Sequence, residues 1–404
     1  MQHFVVIGAG QAGATLVARL RADGFDGKIT LIGAEPVHPY QRPPLSKAYM
    51  LGEMELSRLL LRAPEWYAEN NIDLMLDTRV VGVNAEAKTI TLQGDVELAY
   101  DELAICTGSH PRTLPAAIGG NLDGVYTVRD LKDADTMAPE FTAGRKLLVI
   151  GGGYIGLEAA AVAAKKGCEV TLVEMAPRIL QRVACPETSD YFRDIHTQHG
   201  VKIVEGVGLD HLVGTDRITG AVLTDGTELD VDFAIVGVGI LPATILAEAA
   251  GATCSNGIDT DAFGRTTVPH IWAAGDCANL TFKGHRLRIE SVGNAIDQAE
   301  IVAKNMMGAN EEYAPKPWFW SDQYDVKLQI AGLNIGYDKV YVKTYSDNAD
   351  ARVHWYYQGE TLIAVDAINA GRDYMVGKRL IEAGKSPSPE VLVDEATNLK
   401  ALLK

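Results

Sequence analysis

The apolar residues of this chain fall in short unbroken runs set between polar and glycine-rich segments. Residues 4–7 (FVVI) and 147–150 (LLVI) carry no polar interruption and predict strands buried on both faces of a parallel sheet. Each is followed by a glycine-rich turn and then a helical stretch, 12–20 or 155–165. Second runs at 29–32 (ITLI) and 170–173 (VTLV) predict neighbouring strands, and each leads to an acid, Glu35 or Glu174. Strands at 102–108 (ELAICTG) and 233–239 (FAIVGVG) close the two repeats, and a helix is expected over 294–307. Beyond 314–317 (APKP), which reads as a linker, the pattern changes, and 340–345, 352–357 and 362–365 predict antiparallel strands.

The two turns carry the chemistry. Gly8, Gly10 and Gly13 space the first, and Gly151, Gly153 and Gly156 the second. Glycine lets the backbone turn tightly and approach a pyrophosphate, whose charge then lies against free N–H groups at a helix start. Glu35 and Glu174 each lie roughly 20 residues past the last glycine, where a ribose diol needs an acceptor. A third signature, IWAAGD at 271–276, ends in Gly275 and Asp276 and belongs with the first loop. The chain is therefore expected to hold two dinucleotides. The fold class is α/β, with two Rossmann-like dinucleotide-binding domains, one inserted in the other, plus a C-terminal α+β domain. The expected boundaries are 1–109 with 241–314 for the first domain, 110–240 for the inserted one and 315–404 for the last.

Composition narrows the partners. A formal net charge of −16 argues against nucleic acid and against anionic membrane. The one long apolar window, 147–164, contains Glu158 and three consecutive glycines, so it is no membrane span. The first core strand begins at residue 4, leaving no cleavable leader to expect. The five cysteines, Cys106, Cys168, Cys185, Cys254 and Cys277, form no CxxC, zinc spacing or disulfide framework. No metal site is expected, and a reducing cytoplasm fits.

The most specific segments are 39–47 (PYQRPPLSK), Thr107 and Gly108 with Pro111 and Arg112, 151–158, Gly275 to Cys277, 288–295 (RIESVGNA) and 318–324 (WFWSDQY). On these the whole chain resembles the FAD-containing, NADH-dependent ferredoxin reductases of bacterial oxygenase systems, within the glutathione reductase superfamily. The resemblance implies FAD at Gly8, Gly10, Ala12, Gly13 and Glu35, with Ala34, Arg42, Lys47, Val80, Thr107, Gly108, Arg129 and Asp276 lining it and backbone near Val292 meeting the flavin. It implies NAD at Gly151, Gly153, Tyr154, Ile155, Gly156, Glu158, Glu174 and Gly239.

Lys47 and Glu158 are the expected catalytic pair. In the superfamily a lysine of the first domain pairs beside the flavin with a glutamate of the second glycine-loop helix. Glu158 lies in an apolar helix, where an unpaired carboxylate costs several kcal/mol, so a partner is demanded. Glu174 favours NADH, because a carboxylate accepts from a free ribose diol and repels a 2′-phosphate; Arg178, four residues on, pulls the other way.

Superfamily members that reduce disulfides carry a cysteine pair over the flavin, which residues 39–47 lack. Cys106 reads as core. Without a thiol relay, the reduced flavin must deliver electrons directly, and its capacity to release them singly suits a 2Fe-2S ferredoxin feeding a haem-thiolate monooxygenase or Rieske dioxygenase. Other acceptors (rubredoxin, oxygen, a quinone) remain open, as does an NADH-sensing interaction protein like apoptosis-inducing factor. Trp320, Arg286 and Arg288 are the acceptor-docking candidates, joined by Arg372, Lys378 and Arg379. A monomer or weak dimer is expected. His196 and His199 read as a polar helix end.

Overall fold

The structure, a computed structural model, describes all 404 residues. It contains two compact units. The first comprises Met1–Gln41, Leu56–His110 and Ile240–Pro317; the second comprises Arg42–Glu55, Pro111–Gly239 and Trp318–Lys404.

The first unit is built on a five-stranded parallel sheet. His3–Ile7 lies at its centre, flanked on one side by Lys28–Ile32 and Ile72–Met75, and on the other by Glu102–Ile105 and Ile271–Ala273. The glycine loop follows the central strand, at the point where strand order reverses and where open α/β sheets bind ligands. The helix Gln11–Ala22 leaves that loop and packs on the helix Val292–Met306. Phe4, Val6, Leu16, Leu20, Ala299 and Val302 form a core between sheet and helices. Apart from Ala299, each of these side chains contributes about 1.5–3 kcal/mol on burial, which fixes the loop's two flanks.

The second unit repeats the plan. Lys146–Ile150 is central, with Glu169–Glu174 and Lys202–Glu205 on one side and Phe233–Val236 and Val125–Tyr126 on the other, all parallel. The fifth strand has a different origin in the two sheets. It comes from far down the chain in the first and from the segment just before the central strand in the second.

Residues 318–368 form a five-stranded antiparallel sheet, ordered Trp318–Gln323, Val326–Gly332, Thr361–Ile368, Arg352–Gln358, Lys339–Thr344. The helix Gly371–Glu382 covers it closely. A Cβ on Gly377 would lie 2.8 Å from the Trp355 ring and 2.9 Å from Val365, so only glycine fits there.

Grouping differs from the expected boundaries for two segments, Trp318–Lys404, which joins Pro111–Gly239 in one unit, and Arg42–Glu55. Arg42–Glu55 packs with the second unit, although its neighbours on both sides belong to the first. Its two prolines form a 3-10 turn, Pro43–Ser46, against the helix Tyr154–Lys165. Lys166 Nζ then donates to the Leu51 carbonyl at 3.1 Å and ties down the following turn. Lys47 accordingly sits at the junction between that 3-10 turn and the one-turn helix Ala48–Leu51, not inside a helix.

Candidate functional site

The two glycine loops have matching geometry. Gly8 (φ 110°) and Gly151 (φ 105°) occupy backbone space that L side chains rarely enter. A Cβ on Gly8 would lie 2.2 Å from the Cys106 carbonyl oxygen, and one on Gly151 would lie 2.5 Å from that of Gly237. A Cβ on Gly13 or Gly156 would lie 1.9 or 2.1 Å from the carbonyl oxygen of the loop's own first glycine. The middle glycines are different, since nothing lies within 4 Å of a Cβ built on Gly10 or Gly153. These two residues are also the helix N-caps, and neither helix has a side-chain cap or an acid in its first turn. Each loop thus offers open space over uncapped N–H groups, which a pyrophosphate fits. Ala12 is buried in the first turn of the first helix, and its methyl would lie 3.0 Å from a Cβ on Gly275.

Both acids are held by hydrogen bonds. Tyr40 O–H donates to Glu35 at 2.6 Å. Glu174 accepts from the Gly152 amide at 2.7 Å and from the Ala176 amide at 2.8 Å, one oxygen each, so it is fixed against its own glycine loop. The Arg178 guanidinium is committed inside the protein, donating to the carbonyls of Ala184 and Cys185 and to the Ser189 hydroxyl.

Within the first unit, the Thr107 hydroxyl donates to the Ala243 carbonyl at 2.7 Å, and the Ala243 amide donates to the Gly108 carbonyl at 2.9 Å. Gly108 is left-handed at φ 69°. Asp276 follows the strand Ile271–Ala273, and Ser109 donates to its carboxylate at 3.3 Å. Val292 opens its helix one residue after Ser291, which accepts from the Asn294 amide as N-cap, so the positive end of this helix is well defined. Val80 is buried at the start of the strand Val80–Asn84, and Ala34 is exposed. Burial raises the pKa of the Cys106 and Cys277 thiols, so neither is a ready thiolate.

In the second unit Lys47 Nζ donates to Glu158 at 2.6 Å, and Glu158 is only 4% exposed. Two serines that sequence reasoning missed complete this contact. Ser46 donates to the same carboxylate oxygen at 2.8 Å, and Ser321 donates to the other at 2.7 Å. Three donors on one buried carboxylate repay much of its desolvation. One turn before Glu158, Tyr154 packs on Phe319 at 4.9 Å between ring centroids. Its hydroxyl is buried without a partner, and burial raises its pKa well above the usual phenol value. Ile155 is exposed beside it. Gly239 (φ 103°) abuts Arg112, whose amide donates to the Gly239 carbonyl at 2.9 Å. Arg42 donates to the Arg129 carbonyl at 2.9 Å.

Two sequence expectations are corrected. The Arg288 side chain is 8% exposed, pairs with Glu290 at 2.7 Å and donates to the Asp276 carbonyl, so it offers no charge to a docking partner. Arg286 is exposed but already paired with Asp259 at 3.1 Å. His196 is not part of a polar helix end; it is fully buried, and its Nε2 meets Gln323 Oε1 at 2.8 Å, while His199 is exposed. Trp320 stacks on Trp318 at 5.5 Å, with Lys378 Nζ 5.4 Å from the Trp318 ring. A further buried cluster joins Cys185, His354 and Asp366, whose ligating atoms lie within 4.8 Å of one another. The Thr188 hydroxyl fills its centre, at 3.3, 2.7 and 2.8 Å from the three, so the cluster is hydrogen-bonded as it stands.

Two dinucleotide cradles and an internally paired Lys–Glu contact define a class of nicotinamide-linked flavoprotein oxidoreductases. The family model described as pyridine nucleotide-disulphide oxidoreductase matches residues 2–299, and a second, described as reductase C-terminal, matches residues 318–403. The chain belongs to the pyridine nucleotide-disulphide oxidoreductase family. It is similar to a ferredoxin–NAD(P)(+) reductase from Sphingomonas sp, at 41% identity over 94% of this chain and 92% of that one. It is also similar to putidaredoxin reductase from Pseudomonas putida, at 38% identity over 99% and 96%. Among solved structures, the covalent putidaredoxin reductase–putidaredoxin complex matches with a TM-score of 0.95 at 36% identity, covering 100% of this chain and 98% of that one. A ferredoxin reductase from Rhodopseudomonas palustris matches with a TM-score of 0.96 at 37% identity, covering both chains completely. The protein is thus an oxidoreductase that binds FAD and NAD(P)H. No helix is long and apolar enough to cross a membrane.

Proposed function

We propose that this protein accepts a hydride from NADH and delivers electrons singly to a 2Fe-2S ferredoxin that feeds an oxygenase. The observation that carries this reading is the buried Lys47–Glu158 pair at 2.6 Å, together with relatives named ferredoxin and putidaredoxin reductases. When bound, FAD supplies the conversion of a hydride pair into single electrons. The residues assigned to hold FAD are Gly8, Gly10, Ala12, Gly13, Glu35, Thr107, Gly108 and Asp276, with Ala34, Arg42, Val80, Arg129 and Val292 as further lining positions. Gly151, Gly153 and Gly156 present uncapped amides to the NADH pyrophosphate, with Tyr154, Ile155 and Gly239 around them. Glu174 accepts from the ribose diol, and Arg178 turns both of its terminal nitrogens inward, onto two backbone carbonyls and the Ser189 hydroxyl, rather than toward a 2′-phosphate. Lys47 presents a fixed charge to the flavin, and Glu158 orients that charge without neutralising it in the open.

For the acceptor, the stacked Trp318 and Trp320, with Lys378 over the former and exposed Arg372 and Arg379 on the same helix as Lys378, support docking of an acidic partner. A cytoplasmic location and a monomer or weak dimer belong to the same proposal. Anaerobic rapid mixing with NADH, followed by a panel of purified ferredoxins, tests the reading. Bleaching of the flavin by NADH and fast onward transfer to a 2Fe-2S ferredoxin are expected. Fast flavin reduction with transfer only to oxygen or a quinone overturns the assigned acceptor.

A further inference from the structure

Glu158 is the end of a chain of buried polar groups that the Lys47 contact does not require. The Ser321 hydroxyl donates to Glu158 Oε1 at 2.7 Å, and Gln323 Nε2 donates to Ser321 Oγ at 3.1 Å. Gln323 Oε1 meets His196 Nε2 at 2.8 Å, and His196 Nδ1 meets the Tyr324 hydroxyl at 3.2 Å. Ser321, Gln323 and His196 are all fully buried.

The pattern allows one arrangement of hydrogens. Ser321 spends its proton on the carboxylate, so it accepts from the Gln323 amide nitrogen. The amide oxygen therefore faces His196, whose Nε2 must carry the hydrogen, and Nδ1 then accepts from Tyr324. Every donor points toward Glu158. An amide in the middle does not hand a proton along, so the chain is no proton path; it is an aligned row of dipoles ending on a charge. Burying such groups merely to join a helix to a strand costs more than apolar packing would.

We propose that Ser321, Gln323 and His196 are positioning residues for the Lys47–Glu158 pair, locking Glu158 through Oε1 so that Oε2 stays aimed at Lys47. This rests on the reading that the pair acts on the bound flavin.

The test uses the FAD-loaded protein with Ser321→Ala, Ser321→Thr, His196→Leu and His196→Gln, alongside Lys47→Met. Ser321→Ala should slow flavin reduction by NADH roughly 10-fold, as expected for one lost hydrogen bond to a charged group. It should also shift the flavin midpoint potential while the KM for NADH stays put. Ser321→Thr, which keeps the hydroxyl, and His196→Gln, which keeps the Nε2-like donor, should restore both readouts toward the unmutated protein, and His196→Leu should not. In the FAD-free protein, 15N NMR should find His196 as the Nε2–H tautomer, and Glu158→Gln, three hydrogen bonds away, should change that tautomer population. Ser321→Ala with an unchanged potential, where Lys47→Met does shift it, overturns the positioning role alone. If Lys47→Met leaves the potential unmoved, the action of the pair on the flavin falls, and the positioning role falls with it. A His196 tautomer that ignores Glu158→Gln also overturns the chain.

Discussion

The Glu174 carboxylate accepts a hydrogen bond from the Gly152 amide at 2.7 Å, which fixes the acid over the loop that precedes its own strand by a whole helix. With its other oxygen on the Ala176 amide, the group is oriented but keeps lone pairs for a ribose diol. Glu174→Arg should therefore lower kcat/KM for NADH and narrow its lead over NADPH, with roughly 1–3 kcal/mol at stake. Steady-state kinetics with both cofactors checks this; an unmutated enzyme that already favours NADPH refutes the role of Glu174.

The glycine loops separate folding from binding within six residues. Gly10→Ala and Gly153→Ala meet no neighbour within 4 Å, so both variants should keep the melting temperature of the cofactor-free protein. Gly10→Ala should lose FAD, and Gly153→Ala should raise the KM for NADH while FAD stays bound. Gly13→Ala and Gly156→Ala drive a methyl to about 2 Å from a backbone carbonyl oxygen and should lower the melting temperature before any ligand is added. Calorimetry with and without FAD distinguishes the four, and equal melting losses at middle and last glycines would contradict this division.

Lys47→Met and Glu158→Gln should each slow flavin reduction, and the double variant should be less impaired than the sum, with a coupling of about 0.5–3 kcal/mol. Additive effects in single-turnover reduction would mean that the 2.6 Å contact does not matter to hydride transfer.

His196 carries a pH dependence of stability. Burial lowers its pKa to about 4, against 6.5 for an exposed imidazole, so between these values the unfolded chain binds more protons than the folded one. Its contribution, roughly 3 kcal/mol, is fully present above pH 6.5 and lost as pH falls toward 4. His354, also lowered to about 4, adds a slope of the same sign, while Asp366, raised to about 6, adds one of opposite sign. Both are common to any variant of His196. His196→Gln should flatten the acid fall in melting temperature relative to the unmutated protein, and an unchanged profile would mean that His196 titrates normally.

Charge reversal at Arg372, Lys378 and Arg379 should slow association with an acidic ferredoxin and weaken its salt dependence, with NADH-driven flavin reduction intact. Arg288→Glu should instead destabilise the first unit, since it puts an acid where a buried guanidinium pairs with Glu290. Stopped-flow transfer at two ionic strengths, alongside melting curves, resolves the two behaviours.

The parallel sheets and both cradles were legible because apolar runs, spaced glycines and terminal acids all point to one local geometry. Other features had no such agreement. Residues 42–55 have no hydrophobic period, and nothing local tells which unit two prolines will lean on. His196 was readable in principle. Thr188, Phe192 and His196 lie at successive i, i+4 positions of the helix Pro186–Gln198 and are all buried, but a threonine and a histidine do not announce an inward stripe. Ser46 and Ser321 reach Glu158 from positions 112 and 163 residues away, a convergence that spacing cannot encode. Arg288 misled because a charged side chain is read as exposed unless its partner is known.

The strand Trp318–Gln323 alternates as strands do, with Trp318, Trp320 and Asp322 on one side and Phe319, Ser321 and Gln323 on the other. Six residues therefore act as a shared wall, aromatic outside with Lys378 set over Trp318, and with Tyr154 and Glu158 leaning on it from within. A blow to one side is felt on the other. Replacing Trp320 moves the backbone that holds Ser321, so a slow Trp320 variant is not by that fact a docking variant. The two causes part only when flavin reduction is timed before any acceptor is added.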